Sequence, residues 1–194
     1  MQIGDNCTVR ECVTLNGGTT TDGGDGVTRI GNNCLFMAYS HVAHDCVVAD
    51  NVIMTNCVAL AGHVKLGEGA IIGGLSAVHQ FVRIGEGAMI GGVSGVERDV
   101  PPYCLAQGNR CELIGLNLIG LKRKKADRAT IAAVRNAFET LFNSNRPLQE
   151  VAKELSGQTH LPLAAAMIEF INAPSKRGIT RARQLQDNLA AQTA

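Results

Sequence analysis

Stepping by six from Ile30, the chain reads Ile30, Phe36, Val42, Val48, Met54, Leu60, Leu66, Ile72, Val78, Ile84, Ile90 and Val96, all large and apolar. Four residues after each anchor stands a small or β-branched one: Cys34, Ser40, Cys46, Val52, Val58, Val64, Ala70, Ser76, Val82, Ala88, Ser94 and Val100. Neither a helical period nor strict alternation yields a repeat of six. A flat strand followed by a turn does, with the anchor pointing inward and the small residue fitting the corner. Three such hexads close one triangular coil, and stacked coils form a parallel β-helix in which each coil buries its neighbours. Gly31, Gly67, Gly73, Gly85 and Gly91, directly after anchors, are expected at turn positions where a side chain or a negative φ is awkward.

Composition fits a narrow prism. There are 22 Gly, no Trp and only 5 Phe and 2 Tyr, so aromatic rings do not dominate the core. The 7 Cys contain no C-x-x-C pair and are odd in number, which points to small buried thiols in a reducing compartment. With 18 basic against 17 acidic residues, bulk phosphate neutralisation of nucleic acid is not supported. No apolar run reaches the roughly 18 residues of a membrane span, and the first residues lack the pattern of a signal peptide. A cytoplasmic protein without stable membrane insertion is expected.

Anchors at Ile3, Val9 and Leu15 precede the main run, but the interval from Leu15 to Ile30 is not a multiple of six and exceeds one hexad by nine. The Gly/Thr-rich stretch from Asn16 to Gly26 marks an inserted loop at about 16–29, of the kind that forms a lid or wall of a site. At Val100-Pro101-Pro102-Tyr103 the repeat stops, and the two prolines are read as ending the last coil. The expected division is a β-helix over 1–108 and a helical domain over 109–194. In the latter, Leu113–Leu121 is a short apolar segment. Asp127 caps a helix that buries Ile131, Val134, Ala137, Phe138, Leu141 and Phe142, and Pro147 breaks it. Further helices are expected over about Leu148–Leu155 and Pro162–Asn172, and the tail after Gly178 is expected to fray.

Coil arithmetic gathers the histidines. One coil after His44 comes Gly62, with His63 beside it; one coil before His79 comes Ala61; and removing the insertion places Asn16 near position 43. His44, Gly62, His63 and His79 therefore share one edge with Asn16. A polar cleft with one imidazole base facing an unobstructed backbone N–H suits acyl transfer, with Asp45 or a carbonyl fixing the tautomer. Two other readings remain open: a non-catalytic β-helix, and a zinc site of the carbonic-anhydrase-like β-helix type, since His41 and His44 form an H-x-x-H pair. That zinc class uses H-x-x-x-x-H, which is absent here.

The strings His41-Val42-Ala43-His44-Asp45-Cys46, Leu60-Ala61-Gly62-His63-Val64, Ile72-Gly73-Gly74-Leu75-Ser76-Ala77-Val78-His79-Gln80-Phe81, Asp99-Val100-Pro101-Pro102-Tyr103 and Gly115–Arg123 resemble the acyl-carrier-protein-dependent UDP-N-acetylglucosamine O-acyltransferases of bacteria, which begin lipid A synthesis. The resemblance implies a homotrimer of left-handed β-helices with sites between subunits and no metal or other cofactor. It implies His44 as general base toward the sugar 3-hydroxyl, assisted by Asp45, and the Gly62 N–H as oxyanion donor. His41, His63 and His79 would contact the sugar and phosphates; Gln80, Asn117 and Arg123 would bind the UDP portion. Gly92 would leave room in the acyl groove, near Arg110, which replaces a frequent histidine. Asn16 and Ile119 also depart from the family pattern, at a histidine and an acidic position. Lys122, Arg123, Lys124 and Lys125 form a candidate patch for the acidic carrier protein. Against the family, the chain begins several coils late, so it is read as an N-terminally short form.

Overall fold

The computed structural model describes residues 1–21, 23–158 and 160–183. Three parallel sheets form the walls of a prism. Sheet A stacks Gln2–Ile3, Arg29–Ile30, Val47–Val48, Lys65–Leu66 and Arg83–Ile84. Sheet B stacks Thr8–Val9, Leu35–Phe36, Ile53–Met54, Ile71–Ile72 and Met89–Ile90, then continues into Cys104–Gln107 and Glu112–Leu116. Sheet C stacks Thr14–Leu15, His41–Val42, Ala59–Leu60, Ala77–Val78 and Gly95–Val96. Each of the coil strands is short because its second residue must point into the prism and the chain must then turn. All twelve anchors from Ile30 to Val96 are at most 4% exposed, and the small set from Cys34 to Val100 at most 3%. Ile3 and Val9, on the terminal coil, are half exposed.

Register explains the sequence spacing. Lys65 pairs with Arg83 exactly one regular coil later, whereas Gln2 pairs with Arg29 and Thr14 with His41 across a coil lengthened by the inserted loop. The corner set is small for space, and several of its members also donate to the backbone. Cys34 Sγ reaches the Ala49 carbonyl, Cys46 Sγ the Ala61 carbonyl and Ser94 Oγ the Gly91 carbonyl. Burial raises the Cys34 and Cys46 thiols to about 11, so they stay protonated. All seven cysteines are free.

The glycines after the anchors have a different cause from the one expected. Their φ angles are not positive; a Cβ on Gly73 would instead collide with the backbone of Gly92 in the next coil. The left-handed positions fall three residues after each anchor from Ile30 to Ile90, at Asn33, Tyr39, Asp45, Asn51, Cys57, His63, Gly69, Leu75, Phe81, Gly87 and Val93, with φ from 56° to 65°. Most are not glycine. Where the residue is not glycine, the turn throws its side chain outward at the corner, Asp45, His63 and Phe81 among them.

Nor do the prolines end the stack. Val100 bridges to Ile84, Cys104–Gln107 pairs in parallel with Met89–Ile90, and Glu112–Leu116 returns antiparallel to it. The apolar segment at 113–121 is accordingly half strand and half helix. Among the described residues four helices follow: α1 Leu118–Arg123, α2 Arg128–Phe142, α3 Leu148–Leu155 and α4 Pro162–Asn172. Asp127 caps α2 by accepting the Thr130 N–H at 2.8 Å, and α2 stops at Phe142, before Pro147, which itself precedes α3. The chain then returns to the prism: Ile179 bridges to Asp99 and Ala182 to Leu113, with Ile179 and Thr180 buried. Fraying directly after Gly178 is thus not observed, because residues 179–183 are tied to the prism by these bridges; the remainder of that tail, 184–194, lies outside the described residues. Among the described residues no helix is long and apolar enough to cross a membrane.

Candidate functional site

At the corner between sheets C and A, the coil register builds two columns side by side. One is His44, Gly62 and Gln80; the other is Asp45, His63 and Phe81. Gly62 is glycine because the His44 ring occupies the place of its side chain: a Cβ there would lie 2.5 Å from His44 Cε1 and 2.7 Å from Nε2. The Gly62 N–H has no acceptor among the described residues. The left-handed turn at Asp45 brings its carboxylate back toward the preceding residue, and Oδ2 lies 2.8 Å from His44 Nδ1. That contact requires a proton on Nδ1, so in the neutral imidazole Nε2 carries the free lone pair, on a ring that is 41% exposed.

Asp45 is well held. Burial alone would raise its carboxyl, but hydrogen bonds from His44 and from the side chain and backbone of Thr19 outweigh this and lower it to about 2. The second column is packed ring on ring. His63 stacks on Phe81 with centroids 4.5 Å apart, meets His44 edge-on at 5.2 Å, and keeps Nε2 3.9 Å from Asp45 Oδ2. Lys176 lies over the outer face of Phe81 at 4.1 Å, so the segment after α4 closes the column. Asp45, His63, Phe81 and Lys176 also line a cavity of about 610 Å³ between the inserted loop and sheet A. His44 does not line it.

The other expected residues are distributed around the prism. His41, on sheet C, bonds to Thr14 Oγ1 one coil earlier at 2.7 Å, and His79 Nδ1 contacts the Gln80 carbonyl at 3.2 Å. Neither shares a hydrogen bond or ring contact with His44 among the described residues. Gln80 is exposed, and Asn16 hydrogen-bonds through its backbone to Val42, placing it beside Ala43. Gly92 is exposed, and a Cβ there would stand 3.2 Å from the Gly74 carbonyl. Arg110 is almost fully exposed beside Glu97. Asn117 and Arg123 lie elsewhere, in a cavity of about 760 Å³ with Tyr103, Ile71 and Met89. Asn117 caps α1, accepting from Gly120 and donating to the Gly87 carbonyl. Of the basic run, Lys124 is paired with Glu86.

Two features went unread in the sequence. Phe81 was reachable, since it stands one coil after His63; Thr19 was not, because it belongs to the aperiodic loop. The zinc alternative also changes shape. His41 is tied to Thr14, and among the described residues those whose ligand atoms gather within 4.8 Å are His44, Asp45 and His63. Two of these three already bond directly to one another, and Thr19 occupies Asp45 further, which is the chemistry of a carboxylate-oriented base.

Comparison with known proteins identifies relatives of the whole chain. The sequence model described as Udp N-acetylglucosamine O-acyltransferase, Domain 2, matches residues 99–180, and that of the bacterial transferase hexapeptide matches residues 28–62. The acyl-[acyl-carrier-protein]--UDP-N-acetylglucosamine O-acyltransferase of Aliarcobacter butzleri is 47% identical over 91% of this chain and 67% of its own length. That of Nautilia profundicola is 47% identical over 94% and 70%. The UDP-N-acetylglucosamine acyltransferase structure from Campylobacter jejuni superimposes with a TM-score of 0.88 at 45% identity, covering 93% of this chain and 70% of that one. The structure from Moraxella catarrhalis gives 0.87 at 42% identity, over 92% and 69%.

Proposed function

The chain belongs to the UDP-N-acetylglucosamine O-acyltransferase family, and from that membership together with the His44–Asp45 geometry we propose how it works. It transfers an acyl chain, of the 3-hydroxyacyl type, from acyl carrier protein to the 3-hydroxyl of UDP-N-acetylglucosamine, the first step of lipid A biosynthesis. His44 Nε2 removes the hydroxyl proton as the oxygen attacks the thioester carbonyl. Asp45 holds the ring in the tautomer that leaves Nε2 free and stabilises the imidazolium that forms. The Gly62 N–H, free of an acceptor among the described residues, donates to the developing oxyanion. Collapse of the tetrahedral intermediate expels the phosphopantetheine thiolate, which takes the proton from His44. The acyl donor is the carrier-protein thioester, and no further cofactor enters.

The observation that carries this reading is the 2.8 Å contact between His44 Nδ1 and Asp45 on an exposed ring. His41, His63, His79 and Gln80 would receive the sugar and phosphates, with Gly92 and Arg110 along the acyl groove. Asn117 and Arg123 line a cavity bounded by sheet B and α1, away from the corner that carries His44. That separation supports a site completed by a second copy, in a homotrimer. Lys122–Lys125 would meet the acidic carrier protein. A cytoplasmic location fits both soluble substrates.

Incubation with UDP-N-acetylglucosamine and 3-hydroxyacyl carrier protein should give one product, acylated at the 3-oxygen and identified by mass spectrometry and NMR. Thioester hydrolysis without sugar acylation would contradict the assignment. His44→Ala and Arg123→Ala chains, each nearly inactive, should regain activity when unfolded and reassembled together. No recovery would remove the shared-site arrangement.

A further inference from the structure

The nine extra residues of the loop are more than a bridge between coils, because the loop grips the one carboxylate that orients His44. Thr19 donates its backbone N–H to both oxygens of Asp45, at 2.9 and 3.1 Å, and its hydroxyl to Oδ2 at 2.7 Å. Oδ2 is the same oxygen that meets His44 Nδ1. At the far end of the loop Thr28 accepts the Asp45 N–H at 2.8 Å. Gly24 presses from a third side: a Cβ there would stand 2.6 Å from Oδ1. The Gly26 N–H bonds to the Thr19 carbonyl at 2.8 Å, closing the loop on itself.

Left-handed φ at residue 45 sets where the Asp45 Cβ points, but it leaves the carboxylate free to rotate. Asp45 and His44 are sequence neighbours, and His44 is open to solvent on its other side. Without an external hold the carboxylate would turn toward water, and the ring would populate both neutral tautomers, one of which carries its proton on Nε2 and is useless as a base. We propose that Thr19 is a positioning residue: it fixes the Asp45 carboxylate and, through it, the tautomer of His44. The function of the insertion is then to deliver Thr19 to a point the regular coil register cannot reach.

This rests on His44 acting as the base, so the test separates the two ideas. Thr19→Val keeps the shape and the backbone donor but loses the hydroxyl. It should lower kcat about tenfold, the size of one charge-assisted hydrogen bond, with KM for the nucleotide sugar unchanged. In ¹⁵N spectra His44 should shift from a single Nδ1–H tautomer to a mixture. Thr19→Ser should restore both readouts, and Thr20→Val, at an exposed neighbouring position, should match wild type. Gly24→Ala crowds both the Thr19 carbonyl and the Asp45 carboxylate, so it loosens the same grip and should reproduce the tautomer change. The proposal is overturned if Thr19→Val and Gly24→Ala keep the wild-type tautomer and kcat, or if Thr19→Ser loses as much as Thr19→Val. If His44→Ala remains active, the base assignment fails instead, whatever the tautomer does.

Discussion

Two stretches of the chain meet at Asp45, and they are specified in opposite ways. In the stack, any residue's neighbours follow from stepping one coil along the chain, so a contact distant in sequence is as regular as one in a helix. In the inserted loop no period operates, and Thr19 finds Asp45, 26 residues away, through turns and hydrogen bonds of its own. The stack supplies a rigid corner with fixed columns; the loop supplies a donor set that no column contains. A β-helix with only the regular coils would place His44 beside Asp45 and leave the pair loosely oriented. Rigidity and precision of orientation here come from different parts of the sequence.

The largest effect should come from breaking the stack. Ile72 is fully buried in the middle of sheet B, and Ile72→Ala should cost about 2–5 kcal/mol in denaturant unfolding, since the surrounding coils cannot collapse into the space. A cost below about 1 kcal/mol would mean that the coils are less interlocked than the register implies. Gly62→Ala probes the corner itself. The added methyl would displace the His44 ring, and kcat should fall about 100-fold, as a shift of about 1 Å in a reacting group can produce. The exposed ring can swing outward, so the melting temperature should change little. Retained activity would show that the base does not sit over Gly62.

Acid titration gives the smallest signal and reports on the loop. The Asp45 carboxyl is depressed to about 2 from an unfolded value near 3.9, so its contribution to stability is complete above about pH 4 and is lost as pH falls toward 2. Asp45→Asn carries no charge at any pH, and the difference between its melting curve and that of wild type should therefore shrink across that window. A difference that stays constant from pH 5 to 2 would mean Asp45 is not held as an anion by Thr19 and His44.

How much of this could be read in advance follows the same division. Every anchor from Ile30 to Val96 and every corner residue from Cys34 to Val100 is buried as the period demands, and His44 does lie on Gly62. The three longer helices were legible from Asp127, Pro147 and Pro162, which are local stop and start signals. The glycines after the anchors were visible, but their cause was not: close approach of the next coil and a left-handed turn leave the same residue in the sequence. The hairpin of Cys104–Gln107 and Glu112–Leu116 was missed because the hexad period lapses at Pro101 while the stacking continues. His79 carries the right residue type on the right edge, yet it bonds locally to the Gln80 carbonyl, and His41 sits on the face of sheet C, bonded to Thr14. Thr19 had no signal beyond membership of a loop.

Acyl transfer by the wild-type chain and by His44→Ala, with UDP-N-acetylglucosamine and 3-hydroxyacyl carrier protein at saturation, addresses the base assignment without intermediaries. Because the ring is half open to solvent, the variant should melt at the wild-type temperature. Its kcat should fall by about 10² to 10⁴, the contribution of a positioned general base. A variant that folds normally and turns over within a factor of a few of wild type would contradict the role of His44 and, with it, the reading of the whole corner.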